Sequence, residues 1–439
     1  MKVSSFYENE YVDYAAYDNL RKFASVVDGQ KNASRKILYT VLEKNIKDEI
    51  KVSQLSSKMA EFADYLHGDA SGVIVTLAKN YAGTNNVPLL DREGSFGTRF
   101  ENDASAPRYI FTNGSKEFFE LFNKEDNDIL VQQTFEGAKI EPMFYVPNLP
   151  ILLLNGSTGA ISSGFKQDIL SRNPKKVKQY IKDYLNGNLR PNSKNSLEPY
   201  FEGFNGTIKS GEKFKQWHID GVVKKIGVNK VEISEVPINY DLQKYLNVLD
   251  KLEDDNKIQG YRDLSENDIF KFEVTIPSKV LKEKSEDELI IYLKLRKTIM
   301  EIYTVIDENN KIKVFGDVKE IIDHYIKIKL EYMQKRKDNN IITLEEKIKF
   351  DYSKYIFIKM IVEDKIKISK RKKSEIESDL EKVSEIYTKD ENYDYLLNMS
   401  IQSLTEERMK KLYEDVQTHK ENLDTLIATS IEQLWLKDL

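Results

Sequence analysis

Hydrophobic positions along this chain follow two rhythms. Towards the C-terminus they recur every three or four residues. Ile322, Ile326, Leu330, Met333 and Leu344 form one stripe. Met409, Leu412, Val416, His419, Leu423 and Leu426 form another, a heptad seam interrupted by one polar member. Ser403, with Glu406 three residues on, reads as a capping box opening the second helix. Lys335, Arg336, Lys337 and Asp338 give the first helix a wet face. Two such helices far apart in sequence predict an antiparallel pair with residues 351–400 as a globular tip, although an ordinary helical bundle fits the periodicity equally well. At about 1.5 Å per residue, an arm of roughly 35 residues would extend on the order of 50 Å.

The breakers draw a boundary between the two rhythms. All ten prolines lie at or before Pro277, and beyond it there is a single glycine, Gly316, which predicts long helices in the last third. The first part alternates breakers with short apolar runs and reads as mixed α/β. Residues 32–44 place Ile37, Leu38, Val41 and Leu42 on one side of a helix, with Arg35 and Lys36 off that face. Ser53 is positioned to cap a following helix with Leu55, Met59, Phe62 and Ala63 inward, a helix-turn-helix pattern. His67-Gly68-Asp69 breaks it, and a further helix is expected over Ser71–Tyr81. Within residues 201–237, Thr207-Ile208, Val222-Val223 and Val231-Glu232-Ile233 read as strands between polar turns.

Composition narrows the classes. The 439 residues carry 67 Lys+Arg against 72 Asp+Glu, a net charge of −5, and 40% hydrophobic content does not suit a disordered chain. With no cysteine, disulfides, thiolate zinc sites, iron–sulfur clusters and cysteine nucleophiles are excluded together, which fits a reducing compartment. The four histidines, His67, His218, His324 and His419, lie too far apart to suggest a His-rich metal site. The longest aliphatic run, Ile151–Leu154, is far short of the ~20 residues a spanning helix needs. The slightly acidic total still leaves room for a local basic groove. From Arg21 to Lys51, basic residues outnumber acidic ones, although a solvated helix face produces such a count just as readily.

No phosphate-binding Gly-Lys-Ser/Thr loop, Gly-x-Ser-x-Gly elbow or acidic metal cluster is present. Five other segments, taken in order, carry a resemblance. They are Asp28-Gly29-Gln30-Lys31-Asn32-Ala33-Ser34-Arg35-Lys36-Ile37-Leu38-Tyr39, then Tyr65-Leu66-His67-Gly68-Asp69, then Gly94-Ser95-Phe96-Gly97-Thr98-Arg99. Next come Ala104-Ser105-Ala106-Pro107-Arg108-Tyr109, and Pro147-Asn148-Leu149-Pro150 with Asn155-Gly156-Ser157-Thr158-Gly159-Ala160-Ile161. Together they resemble the breakage-reunion region of type IIA DNA topoisomerases, and Leu330–Asp338, Phe357–Ile361 and Ser403–Arg408 resemble its helical part. Asn32 stands where the family has proline, Leu66 replaces the first histidine of a pair, and one extra residue, Ala160, precedes Ile161.

The resemblance implies an α+β multidomain, helix-rich fold. It divides into a winged-helix DNA-gate domain over 1–140, a β-rich tower over 141–300 and a coiled-coil arm with a helical exit gate over 301–439. It implies Tyr109 as the nucleophile that forms a 5′-phosphotyrosine, with Arg108, Arg35 and His67 around the same phosphate. Ile161 is then a wedge between base pairs, and Lys31 and Lys36 are phosphate contacts. A tyrosine phenol ionises only near pH 10 in water, so the attack needs a nearby cation such as Arg108. By size the chain is similar to separately encoded, phage-type DNA-cleaving subunits. The partners are then double-stranded DNA, a second copy of the chain and an ATPase/toprim subunit, with no membrane. Mg²⁺ would be bound mainly by that subunit, which would also use ATP, in the cytoplasm of a bacterial host. A non-catalytic DNA-binding scaffold of the same fold is the alternative; a purely structural coiled coil leaves the N-terminal half unexplained.

Overall fold

A computed structural model describes residues 3–66, 68–189, 197–238 and 240–439. The chain forms two compact units, Met1–Lys329 with Leu439, and Leu330–Asp438.

The first unit opens with helices Val3–Glu8 and Glu10–Lys22, then a winged-helix arrangement. Helix Asn32–Glu43 precedes the short strand Ile50–Lys51, helices Val52–Phe62 and Ser71–Ala78, and the strand Phe111–Thr112. The two strands pair antiparallel, Ile50 against Thr112 and Lys51 against Phe111. Ile37, Leu38, Val41, Leu55, Met59 and Ala63 are buried, as the apolar spacing requires. Phe62 is half-buried and stacks on Tyr39 at 5.1 Å. Ser53 is not the cap of its helix. Lys51 holds the N-cap position, and Ser53 is already helical, its N–H bonded to Pro107 O at 3.2 Å. The helix expected to reach Tyr81 ends at Ala78.

Further along, two hairpins pair Gln132–Phe135 with Ala138–Pro142 and Ser157–Ser162 with Phe165–Ile169. A three-stranded antiparallel sheet orders Arg296–Met300, Gln216–Asp220 and Thr207–Ser210. A four-stranded one orders Gly260–Asp263, Phe272–Thr275, Lys230–Glu235 and Val222–Lys225. Ile233, Tyr245, Leu249, Phe272 and Val274 pack beneath the latter as its core. The region after Pro277 is less uniformly helical than its lack of breakers predicts. Helices Ser278–Glu283 and Glu286–Tyr292 give way to strands Arg296–Met300, Thr304–Ile306 and Ile312–Val314 before the long helix begins. Pairing with Gln216–Asp220, distant in sequence, decides the conformation of Arg296–Met300, while Thr304–Ile306 and Ile312–Val314 pair with each other, and propensity is the weaker influence.

Helix Val318–Val362 is 45 residues long and continues into the second unit. There it runs antiparallel to helix Glu406–Ala428. Lys337 donates to Ile427 O and Thr429 O, both at 2.8 Å, while Tyr355 meets Tyr413 at 5.2 Å. Between the two helices, Phe357, Ile366, Ile376, Leu380 and Leu396 enclose a small core that makes the tip globular. Two details differ from the sequence pattern. Arg336 is buried and paired with Asp438 at 2.5 Å, so the expected wet face is in part an internal contact. Thr405, rather than Ser403, caps the second helix by accepting from Arg408 N at 3.3 Å; Ser403 belongs to a 3₁₀ turn and bonds Ser400.

Candidate active site

The tyrosine singled out by the sequence sits on a turn fastened from both sides. Tyr109 N donates to Ala106 O at 2.9 Å, closing the turn. The first N–H groups of helix Val52–Phe62, which have no partner inside their own helix, bond Ile110 O and Pro107 O at 3.0 and 3.2 Å. Phe111 exchanges two backbone bonds with Glu93, and Ile110 is buried. The backbone is therefore fixed while the Tyr109 ring stands 67% exposed. Arg108 is exposed too, its guanidinium carbon 5.0 Å from the Tyr109 ring centroid, within cation–π range.

Lys31 is the N-cap of helix Asn32–Glu43, its N–H bonded to Ser34 Oγ at 3.0 Å. Asn32 is thus the first helical residue, a position whose N–H lacks an intrahelical partner, which explains why proline is also suited to it. Gly29 precedes the helix with φ +68°, and the backbone N of Leu152 lies 2.5 Å from where a Cβ would stand. Only glycine permits that approach. Lys31 borders an open groove of about 1090 Å³, in which Arg21, Lys31, Lys79, Lys166 and Lys297 outnumber Asp69 and Asp168. Partial burial strips water from the Lys31 ammonium and lowers its pKa from the ordinary 10.5, which predisposes it to pair with an anion. Neither Arg108 nor Tyr109 lines this groove.

Two expected phosphate ligands are committed elsewhere. Arg35 is buried, with Nε and Nη2 on the two oxygens of Asp28 at 2.7 and 3.1 Å and Nη2 also on Gln30 O at 3.2 Å. Asp28 in turn accepts from Gln30 N and Tyr145 N. Burial works against the Arg35 charge, yet the attraction of Asp28 leaves its pKa raised. Lys36 pairs with Glu141 at 2.8 Å and donates to Ala63 O. Both cations thus tie helix Asn32–Glu43 to its neighbours, because a desolvated cation requires a nearby carboxylate. His67 lies outside the described residues. Beside it, Asp69 accepts from Ser56 Oγ, Ser71 N and Ser71 Oγ at 2.8, 3.0 and 2.7 Å and so pins helix Ser71–Ala78.

Ile161 stands 66% exposed on the hairpin Ser157–Ser162/Phe165–Ile169, paired across it with Lys166. Its neighbour Ala160 is buried with Phe23 and Ile306. Strand alternation therefore sends one residue into the core and the next into solvent. The extra Ala160 is accommodated by an irregular register between Ser157 and Ala160.

Pattern reading missed Asp28, Glu141 and Arg99 as elements of the scaffold. Arg99 reaches Glu235 at 3.2 Å and the carbonyls of Val236, Ile238 and Tyr240, joining the Gly94–Arg99 loop to the strand-rich region. The signal for it was the arginine ending that motif; its partners, more than a hundred residues away, carried none. Among the described residues, no three His, Asp or Glu side chains gather to hold a metal ion. No helix among the described residues is long and apolar enough to cross a membrane.

Comparison with known proteins gives this geometry a context. The chain is 32% identical to the mitochondrial DNA topoisomerase 2 of Dictyostelium discoideum, covering 99% of this chain and 34% of that protein. It is 29% identical to DNA topoisomerase 2 of Invertebrate iridescent virus 6, over 100% of this chain and 38% of the other. The chain thus spans only about a third of the length of these relatives. Its fold is similar to the crystal structure of the DNA-binding, cleavage and re-ligation domain of Plasmodium falciparum topoisomerase II. The TM-score is 0.88 at 31% identity, covering 99% of this chain and 63% of that one. The family profile of the DNA gyrase/topoisomerase IV A-subunits matches residues 21–439, and the chain belongs to that family.

Proposed function

We propose that this chain is the DNA-cleaving and rejoining subunit of a type IIA DNA topoisomerase. The observation that carries this reading is an exposed Tyr109 phenol on a rigid turn with the Arg108 cation beside it. In the reaction, the phenol oxygen bonds to a DNA phosphorus as the bond from phosphorus to the deoxyribose 3′-oxygen breaks. The phenol gives up its proton and the departing oxygen takes one up. The product is a 5′-phosphotyrosine of similar energy to the diester, so the 3′-hydroxyl can reverse it without ATP at that step. Arg108 stabilises charge on the phosphoryl oxygens. The cation-lined groove holds duplex phosphates, with Lys31 as a contact that positions DNA without reading its sequence. Ile161 enters the base stack as a wedge.

A double-strand break needs one Tyr109 per strand, hence a homodimer. That Tyr109 does not line its own chain's groove accords with a phosphate presented across two copies. Residues 1–140 would serve as the DNA gate, 141–300 as the tower, and 301–439 as the arm and exit gate. Mg²⁺ and ATP use are assigned to a partner subunit with toprim and ATPase modules, and the complex would relax or decatenate DNA in the host cytoplasm. The test is to mix the chain with that partner, Mg²⁺ and supercoiled plasmid, then denature. Covalent protein–DNA adducts that vanish in Tyr109→Phe support the reading; adducts that persist in the variant place the nucleophile elsewhere.

A further inference from the structure

The hairpin that carries Ile161 is fastened to the first unit at three places. On one strand, the buried Gln167 amide takes Ala24 N at 3.1 Å and gives to Thr304 O at 2.7 Å. Directly across from Gln167, Ala160 packs with Phe23 and Ile306. At the tip, Asp18 of helix Glu10–Lys22 accepts Ser162 Oγ at 2.7 Å and Ser163 Oγ at 3.2 Å, and Lys22 Nζ approaches the same carboxylate at 2.9 Å. The Asn19 amide adds a longer contact to Ser163 O.

The first two anchors fix the root of the hairpin but leave the tip only its own pairing, and a lone two-stranded hairpin is marginal in water. Beyond the Ala160–Gln167 rung only Ile161–Lys166 and Ser162–Phe165 pair, and the turn that closes them contains Gly164 at positive φ, so the strand end has freedom at Ile161. The Asp18 anchor grips the residue next to Ile161. We infer that Asp18 is a positioning residue for DNA bending: by holding Ser162 and Ser163 it keeps the Ile161 side chain in its insertion pose before DNA arrives. This inference rests on the wedge reading of Ile161. Unstacking a base step is costly by itself, and a wedge that first had to be ordered would add to that cost. The carboxyl suits the task, since the Ser162 hydroxyl first and Lys22 second draw its pKa down to about 2, leaving it ionised wherever DNA is bound.

The test uses the full chain, alone and with its partner subunit, and a duplex with dyes at both ends whose energy transfer reports bending. Ile161→Ala should lower the bent-to-straight ratio sharply, to a small but measurable value. Asp18→Ala, and separately Ser162→Ala with Ser163→Ala, should lower the bent-to-straight ratio roughly five- to tenfold, the worth of one or two hydrogen bonds. The combination of Asp18→Ala with Ile161→Ala should be no worse than Ile161→Ala alone, a dependence that a general loss of stability would not produce. Undiminished bending in Asp18→Ala, or an effect that adds in full to that of Ile161→Ala, overturns the inference while leaving the wedge intact. Undiminished bending in Ile161→Ala removes the wedge reading itself and the inference with it.

Discussion

The guanidinium carbon of Arg108 lies 5.0 Å from the centroid of the Tyr109 ring, and both side chains face solvent from one clamped turn. A cation held against the Tyr109 ring travels with it to any phosphate the phenol reaches. Arg108→Ala should therefore slow adduct formation by about 10²–10³-fold at saturating DNA, the usual cost of losing one charge-stabilising donor. Arg108→Lys should recover little, because an ammonium lacks the planar donor fork. Single-turnover cleavage of a labelled duplex reads both, and a near-normal rate in Arg108→Ala would assign the charge stabilisation to other groups.

Arg35 and Asp28 make the opposite prediction. Their pair is buried on both sides, so removing one partner strands the other charge. Either Arg35→Ala or Asp28→Ala should destabilise the chain by about 3–5 kcal/mol. Urea unfolding checks this. An Arg35→Ala protein of normal stability that no longer cleaves DNA would return Arg35 to the phosphate.

Lys31 and Lys36 are separated by their surroundings. Lys31 borders the groove, so Lys31→Ala should lower the slope of log affinity against log salt by about 0.9, one phosphate's share. Lys36 is bound to Glu141, and Lys36→Ala should leave that slope unchanged while lowering the melting temperature. Salt titrations of duplex binding distinguish them.

Asp69 gives a pH dependence. The Ser71 hydroxyl above all, with help from Ser56 and the Ser71 N–H, holds its carboxyl below the ordinary 3.8 against the opposing effect of burial. The stabilisation is therefore complete above the unfolded value and is lost as pH falls through the lower folded one. Melting temperatures should drop on acidification below about pH 4, and Asp69→Asn should flatten part of that drop. An unchanged acid profile in the variant would show that the Ser56 and Ser71 bonds do not depend on the charge.

Much of this molecule is legible one residue at a time. Helical spacing from Ile37 to Leu42 and the arm stripes follow from periodicity, because backbone geometry repeats locally. Caps were less legible. Ser53 and Ser403 have suitable side chains, but the true starts at Val52 and Glu406 follow from the bond between Val52 N and Ile110 O and from the neighbouring Thr405. Several residues in a row can satisfy a capping pattern, and tertiary contacts choose among them.

The sequence by itself determined the helices of the helix-turn-helix and of the arm with their apolar stripes, and that an arginine–tyrosine pair stands in the order of motifs that marks the family. Tertiary structure alone decided which cations have a carboxylate partner within the fold. Arg35, Lys36 and Lys31 are near neighbours on one helix, yet Asp28 and Glu141 claim the first two and leave the third at the groove. A side chain's charge is written in the sequence; its solvation and partner depend on what the folded chain brings within a few ångströms, and Glu141 arrives from a strand more than a hundred residues away.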